Sequence, residues 1–200
     1  MGLLKLQNKV KEKLTNDRFI HTIGVQSTSF CLALTYGADY NNANYAGLLH
    51  DYAKCMTDVE LLRLSKEFNL EISRVEEENP YLLHSKLGAY YAKHEFNIED
   101  EDILNAITYH TTGRPGMSLL EKIVFVADYI EPNRRDQVNP NLKRIRQLAF
   151  KDIDLAVVDI LKSTLDYLGN DESKIDTLTI DTYNYYIDKI KNINRMEGNK

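Results

Sequence analysis

The chain has 200 residues, of which 43% are hydrophobic and 28% are charged, and its formal net charge is -5. This length suits one globular domain, and the acidic balance lacks the basic footprint of nucleic-acid-binding proteins. No apolar run reaches the about 20 residues of a membrane-spanning helix, and the N-terminus lacks the features of a signal peptide. We therefore expect a cytoplasmic protein that binds neither nucleic acid nor membrane.

Apolar residues recur at helical spacing along the first two thirds of the chain. The first predicted helices are a short one with Leu3, Leu4, Val10 and Leu14 on one face, a second capped by Asn16 or Asp17 that stops near Gly37, a third over Ala43 to Lys54, and a fourth capped by Asp58. The next are Tyr81 to Phe96, Asp100 to Tyr109, and LLEKIVFVADYIE, with Ser118 as cap, Glu121 completing a capping box and Pro132 as terminator.

Three long amphipathic helices complete the pattern. They are predicted over Asn141 to Phe150, Asp154 to Leu168 and Thr177 to Ile193. Period-two alternation of strand length is absent, so the predicted fold is all-α. In the last helix Tyr183, Tyr186, Ile187 and Ile190 lie at helical spacing. They either close the core or form a homodimer face, and the core is the favoured interpretation.

The sequence shows no repeat, low-complexity linker or domain seam. We predict a single domain over residues 1–200, with a motif-bearing core at about 16–135 and C-terminal helices over 139–195 packed on it. The two cysteines, Cys31 and Cys55, lie in apolar helical contexts and form no CxxC pair. Buried, reduced thiols are therefore expected in preference to a disulfide or a metal site.

Several polar residues stand inside otherwise apolar helical segments. They are His21, His50 with Asp51, His84, His110 and Asp128. Any one of these histidines alone is more often a hydrogen-bonded core residue, and an isolated His–Asp pair is more often on the surface. Asp128, within KIVFVADYI, is the sharpest anomaly, because a buried carboxylate is normally paired or bound to metal.

Taken together, these six residues suit a helical bundle in which several helices each direct a ligand toward one centre. Six donors are too many for one closed four-ligand site. Divided over two ions bridged by Asp51, they leave open positions for water and substrate. Two divalent ions and two aspartates leave a surplus of about two positive charges, which favours phosphates. Such ions lower the pKa of bound water from about 15.7 toward 7 and yield a hydroxide nucleophile.

The ordered motifs resemble the HD-domain superfamily of metal-dependent phosphohydrolases, and within it the YqeK family. The segments that carry the resemblance are RFIHTIGV (18–25), LLHDYAK (48–54), LLHSKLGA (82–89), ITYHTTGRPGMS (107–118) and KIVFVADYIEPNR (122–134). The resemblance implies an HD-domain helical bundle with a dinuclear site. It also implies symmetrical cleavage of diadenosine tetraphosphate into two molecules of ADP.

The resemblance further implies how the ligands divide. One ion would be held by His21, His50, Asp51 and Asp128, and the other by His84, His110 and Asp51. Iron is the metal that the resemblance implies, whereas the nitrogen-rich ligand set alone admits Fe, Mn, Co, Ni or Zn ahead of Mg or Ca. His94 falls outside the motifs and is expected to be an ordinary surface histidine.

Basic residues near the motifs are candidates for binding substrate phosphates. Lys54 follows Asp51 by three residues, so both lie on one helix face, and we predict both to be catalytic. A solvated surface lysine is the alternative for Lys54. Arg18, three residues before His21, either contacts substrate or orients a ligand. Of the adjacent Arg134 and Arg135, Arg134 is the favoured phosphate contact, since guanidinium binds phosphate bidentately.

The turn after His110 contains Thr111 and Gly113, whose backbone N–H groups are predicted to bind substrate. The alternative for this turn is a helix C-cap, a role that Gly113 can serve at the same time.

Other functions are compatible with the same residues. One is hydrolysis of a guanosine alarmone, a cyclic nucleotide or a nucleoside monophosphate by an HD-type enzyme. The chain has no GYP tripeptide after its HD motif, which disfavours cyclic dinucleotides. Another is a non-catalytic metal or nucleotide sensor. A purely structural helical interaction protein is the third alternative, but it would give Asp128 and the His50–Asp51 pair no role.

Overall fold

The structure is a computed structural model that describes residues 2–134, 140–169 and 175–197, with side chains described as far as 192. In this part of the chain all regular structure is helical, so the all-α prediction is confirmed. The first elements are α1 (Leu3–Lys13), α2 (Asn16–Tyr36), α3 (Tyr40–Leu49), α4 (Asp58–Glu67), α5 (Arg74–Glu78) and a 3-10 turn (Pro80–Leu83). They are followed by α6 (His84–His94), α7 (Glu101–Thr108), α8 (Leu119–Ile130), α9 (Leu142–Ala149), α10 (Ile153–Leu168) and α11 (Thr177–Glu197).

Helix α3 lies at the centre of the bundle. It packs on α1, α2, α6, α7 and α8, while α2 also contacts α8 directly. A continuous apolar core runs from Leu6 of α1 through Leu48 and Ile123 to Tyr186 of α11. Tyr186 is 1% exposed, and Tyr183, Ile187 and Ile190 pack against the same core. The favoured interpretation of α11 as a core helix is therefore confirmed. The extent of a single domain over 1–200 stays a prediction.

The C-terminal helices are also joined to the bundle by charge. Asp154 of α10 accepts hydrogen bonds from Lys122 of α8 at 2.8 Å and from Lys189 of α11 at 2.6 Å. Burial alone would raise the pKa of Asp154, but these hydrogen bonds and the two positive charges lower it overall. We call these three residues the Asp154 cluster. Their charged groups are satisfied by one another.

Several helix boundaries differ by one residue from the prediction. Thr15 caps α2 instead of Asn16 or Asp17, and Thr57 caps α4 instead of Asp58. In α4 the Thr57 hydroxyl accepts from the Glu60 N–H, and the Glu60 carboxylate accepts from the Thr57 N–H, which completes a capping box. Adjacent Thr, Asn and Asp residues are all competent caps, so sequence alone does not choose among them. The end of α2 at Gly37 is confirmed.

The predicted third and fifth helices are shorter in the structure. Helix α3 ends at Leu49 and not at Lys54, so His50 and Asp51 lie in the turn beyond it. The segment from Tyr81 begins as the 3-10 turn and becomes α-helical only at His84. The short helix α5 was not predicted. The capping box of α8, with Ser118 and Glu121, is confirmed.

Two expectations about burial are wrong. Leu4 is 72% exposed and Leu6 is 1% exposed, because the inner face of α1 follows positions 3, 6, 10 and 14 at helical spacing. Cys31 and Cys55 are unpaired thiols, as expected, but both are exposed. Cys31 lies on the outer face of α2, and Cys55 lies in the turn after α3. His94 is exposed, as predicted.

Within the described residues, none of the helices has the length and apolar character needed to cross a membrane.

Candidate metal centre

The structure brings together all six residues that the sequence singled out. His21 comes from α2, His50 and Asp51 from the turn after α3, His84 from the first position of α6, His110 from the turn after α7, and Asp128 from α8. His50, Asp51, His84 and His110 are buried to 3% exposure or less. His50 is the C-cap of α3 and keeps α-helical dihedral angles, and Asp51 follows it in the turn; both side chains reach the same centre.

Asp51 lies in the middle of the cluster, and its two carboxylate oxygens face different partners. Oδ2 lies 3.3 Å from Nε2 of His50 and 3.7 Å from Nε2 of His21. Asp128 completes this side, with its Oδ1 at 3.0 Å from Nε2 of His21 and 3.8 Å from Nε2 of His50. We call His21, His50, Asp51 and Asp128 the four-donor group.

The other oxygen of Asp51 faces the second set of histidines. Oδ1 lies 3.3 Å from Nε2 of His84 and 3.7 Å from Nε2 of His110. The two imidazole Nε2 atoms are 3.2 Å apart. We call Asp51, His84 and His110 the three-donor group. Asp51 is thus common to both groups.

The other ring nitrogen of each histidine is held by a hydrogen-bond acceptor. Nδ1 of His50 lies 2.8 Å from the Gly47 carbonyl oxygen. Nδ1 of His84 and of His110 lie 2.6 Å and 2.7 Å from the carbonyl oxygens three residues earlier. Since a carbonyl only accepts, Nδ1 carries the proton in each neutral ring, and Nε2 presents a lone pair to the centre.

With Nδ1 protonated, the Nε2 lone pairs of the centre lack hydrogen-bond partners among the cluster histidines. The Nε2 atoms of His84 and His110 direct lone pairs at one another, and Nε2 of His21 and of His50 are buried without a hydrogen-bond partner. Donors about 2.1 Å from one ion are about 3.0 to 3.4 Å apart in tetrahedral or octahedral arrangements. The nitrogen–oxygen separations given above, 3.0 to 3.8 Å, lie near this range. The donor atoms all lie within 4.8 Å of one another in the three-donor group and in the four-donor group without Asp128. The residues therefore fit divalent cations.

The electrostatics of the centre agree with that fit. Burial lowers the pKa of His84 to about 4, so its ring is neutral at neutral pH, as a metal ligand must be. Burial also tends to lower the pKa of His21, but the carboxylates of Asp128, Asp51 and Glu131 outweigh it and raise the pKa. The three carboxylates around His21 thus favour a positive charge in this part of the centre.

Three basic side chains surround the centre. Arg18 Nη1 donates to Oδ2 of Asp51 at 2.9 Å, and Arg134 Nη2 donates to Oδ1 of Asp128 at 3.1 Å. Lys54 Nζ lies 3.3 Å from Nε2 of His84. Each of the three positive charges is therefore adjacent to a member of the cluster. Of the predicted substrate residues these three lie at the centre, while Arg135 is outside the described residues.

The turn after His110 differs from the prediction. Gly113 donates its N–H to the Tyr109 carbonyl oxygen at 2.8 Å, so this group closes the turn and is not free to bind a phosphate. Gly113 has a φ of +65°, and a Cβ there would come within 2.8 Å of Thr182 in α11. Thr111 lines a cavity of about 220 Å³ whose wall includes Lys86 and Glu76 but none of the six cluster residues. A substrate role for Thr111 stays a prediction.

Glu131 is a buried part of the site that the sequence did not indicate. It follows α8 directly, is 2% exposed, and places Oε1 3.2 Å from Nδ1 of His21. Its position three residues after Asp128, at the end of an apolar helix, was the available signal. The polar residues PNRR that follow it gave no indication of burial.

An all-helical bundle with such a histidine and aspartate centre defines a class of metal-binding hydrolases. The HD domain family model matches residues 18–133, and the chain belongs to the HD-domain family. The family assignment made from the motifs is thus confirmed.

Individual relatives cover nearly the whole chain. It is 45% identical to the "Bis(5'-nucleosyl)-tetraphosphatase, symmetrical" of Halalkalibacterium halodurans, over 88% of this chain and 91% of that protein. It is 41% identical to the protein of the same name from Bacillus subtilis, over 89% and 94%. A crystal structure from Clostridium acetobutylicum, described as a predicted HD superfamily hydrolase involved in NAD metabolism, matches with a TM-score of 0.89 and 35% identity. That match covers 94% of this chain and 98% of the other.

Proposed function

We propose that the protein hydrolyses diadenosine tetraphosphate symmetrically, yielding two molecules of ADP. Relatives at 41% and 45% identity that match it almost end to end bear the name of this activity. The principal structural support is the placement of Asp51, whose two oxygens face separate sets of histidines. A carboxylate in that position suits a bridge between two cations.

In this proposal the four-donor group holds one ion and the three-donor group holds the other. The arrangement leaves coordination positions for water and substrate, as catalytic sites require. Iron is the metal we propose, from the resemblance to the YqeK family, and the nitrogen-rich donors also suit Mn, Co, Ni or Zn. When bound, two such ions polarise phosphoryl oxygens and acidify water.

The basic side chains then act on the polyphosphate chain. Arg18 and Arg134 each use part of the guanidinium on a cluster carboxylate, which leaves further N–H donors for phosphate oxygens. Lys54 is half-buried with Nζ beside His84, which suits its ammonium group to stabilise charge on the phosphoryl group under attack. Water attacks an inner phosphorus in line and loses a proton to solvent. The bond from that phosphorus to the central bridging oxygen breaks, and the second ADP leaves with that oxygen.

The test is to purify the protein without added metal, measure its metal content by elemental analysis, and assay it on diadenosine tetraphosphate. Products are resolved by ion-exchange chromatography. We expect about two transition-metal ions per chain and ADP as the sole nucleotide product. AMP together with ATP would refute symmetrical cleavage. Metal without turnover would redirect the assay to guanosine alarmones, cyclic nucleotides and nucleoside monophosphates.

A further inference from the structure

His21 differs from the other three histidines of the centre in how its Nδ1 is held. His50 and His110 follow the ends of α3 and α7, and His84 begins α6, so each reaches the carbonyl oxygen three residues earlier. His21 lies inside α2, where the backbone carbonyls accept helix hydrogen bonds. The Nδ1 partner of His21 comes from outside the helix, and it is the carboxylate of Glu131.

The fold makes room for this carboxylate on α2. Gly24 lies one turn after His21, and a Cβ on it would overlap Oε2 of Glu131 and lie 3.2 Å from Nδ2 of Asn133. Any larger residue at this position must displace the Glu131 side chain. The lack of a side chain at Gly24 thus allows a buried carboxylate to lie against the helix of His21.

Glu131 is itself held in place from two sides. Its Oε2 accepts hydrogen bonds from the backbone N–H of Asn133 at 2.7 Å and from Nδ2 of the same residue at 3.1 Å. Its backbone carbonyl accepts from Nη2 of Arg146 in α9 at 3.0 Å and from the N–H of Arg134 at 3.1 Å. A side chain fixed in this way can orient a neighbouring ring.

We propose that Glu131 is a positioning residue of the metal centre and that Gly24 provides its space. The carboxylate accepts the Nδ1–H of His21, which fixes the ring with the Nε2 lone pair toward Asp51 and Asp128. The carboxylate also makes Nε2 of His21 a more basic ligand for a metal ion, as carboxylates that accept from metal-bound histidines do. This inference rests on the assignment of His21 as a metal ligand under the proposed function.

The test compares Glu131→Gln with a matched variant, Glu121→Gln. Glu121 lies at the other end of α8, is 1% exposed, and binds Arg114 and the Ser118 N–H without touching the six cluster residues. The Co(II) dissociation constant of the metal-free protein is measured by competition with a chromophoric chelator. We expect Glu131→Gln to raise the Co(II) dissociation constant of the tighter-bound ion about 10- to 100-fold. Glu121→Gln should bind Co(II) as the unmodified protein does.

Gly24→Ala supplies a second measurement if Glu131→Gln does not fold. It retains the carboxylate but removes its space, so we expect the same loss of Co(II) affinity. Unchanged affinity in either variant, or an equal loss in Glu121→Gln, would overturn the proposal.

A measurement without metal separates this proposal from the proposed function. In the metal-free protein, the hydrogen bond should protect the His21 Nδ1–H from exchange, giving a ¹⁵N–¹H cross-peak in the unmodified protein and in Glu121→Gln. The cross-peak should be lost in Glu131→Gln, because the amide has a single acceptor oxygen, which the backbone N–H and Nδ2 of Asn133 occupy, and its NH2 group cannot accept from Nδ1–H. If the unmodified protein binds no metal, the proposed function fails, but the cross-peak still decides whether Glu131 holds His21. Its absence from the unmodified protein would contradict the proposal.

Discussion

Two groups of charged side chains, both partly or wholly buried, differ in whether the chain itself satisfies their charges and hydrogen bonds. In the Asp154 cluster, one carboxylate accepts from Lys122 and Lys189, so charge and hydrogen bonding are satisfied within the chain. In the metal centre, imidazole lone pairs and carboxylates face one another, and two ring nitrogens have no partner. The first arrangement stabilises the fold. The second needs an added cation, and that difference separates a structural cluster from a site.

The largest expected effect comes from Asp51→Ala, which removes the side chain that belongs to both donor groups. We expect loss of metal from both groups and a fall in kcat/KM of about 10³-fold or more, since metal ions contribute several kcal/mol to catalysis. Elemental analysis and the diadenosine tetraphosphate assay measure both. Asp166→Ala, on the exposed surface of α10, is the control. Full activity in Asp51→Ala would refute the shared-ligand scheme.

Lys54→Ala tests whether a charge beside the centre can be separated from metal binding. The variant should retain its metal, because Lys54 lacks a lone pair when charged, and should lose about 10²-fold in kcat. Lys66→Ala, which removes an exposed lysine paired with Glu77, should leave kcat unchanged. Loss of metal along with activity in Lys54→Ala would show that the lysine supports the cluster itself.

Removal of metal should destabilise the protein, because a cation that binds only the folded state stabilises it. At a free concentration about 100 times the dissociation constant, one ion contributes about 2.7 kcal/mol. In a chain of this size this corresponds to a fall in Tm of about 5 to 10 °C on chelation. Asp51→Ala should show no such shift with chelator. An unchanged Tm in the unmodified protein would mean that the centre is already balanced without metal.

The smallest effect is expected for Asp154→Asn, which should be about 1 kcal/mol less stable to unfolding. Its activity should be unchanged. The pKa of Asp154 is lowered in the folded protein. Its stabilising contribution is therefore complete above the unfolded value of about 3.9 and disappears as pH falls through the lower, folded value. Urea titrations across this range should show the two proteins converge in acid. A constant difference would exclude an ionic contribution.

The sequence identified the metal centre because its members are polar residues within apolar helices. Asp128 and His21 are conspicuous for that reason, and the structure brings both to one place. Glu131 was missed because it follows the helix in a polar stretch, where burial depends on the distant Gly24. Cys31 was misjudged because its neighbours are apolar on both faces of α2, so periodicity does not choose a side.

The close contact of Gly113 with Thr182 has a consequence for biosynthesis. All six cluster residues precede α9, but the turn after His110 is covered by a helix about 70 residues further along the chain. At about 5 to 20 residues per second, the ribosome adds that helix about 3 to 14 seconds later. Once Asp128 has been added, the nascent chain contains every cluster residue, and the turn after His110 stays uncovered for the remaining about 3 to 11 seconds.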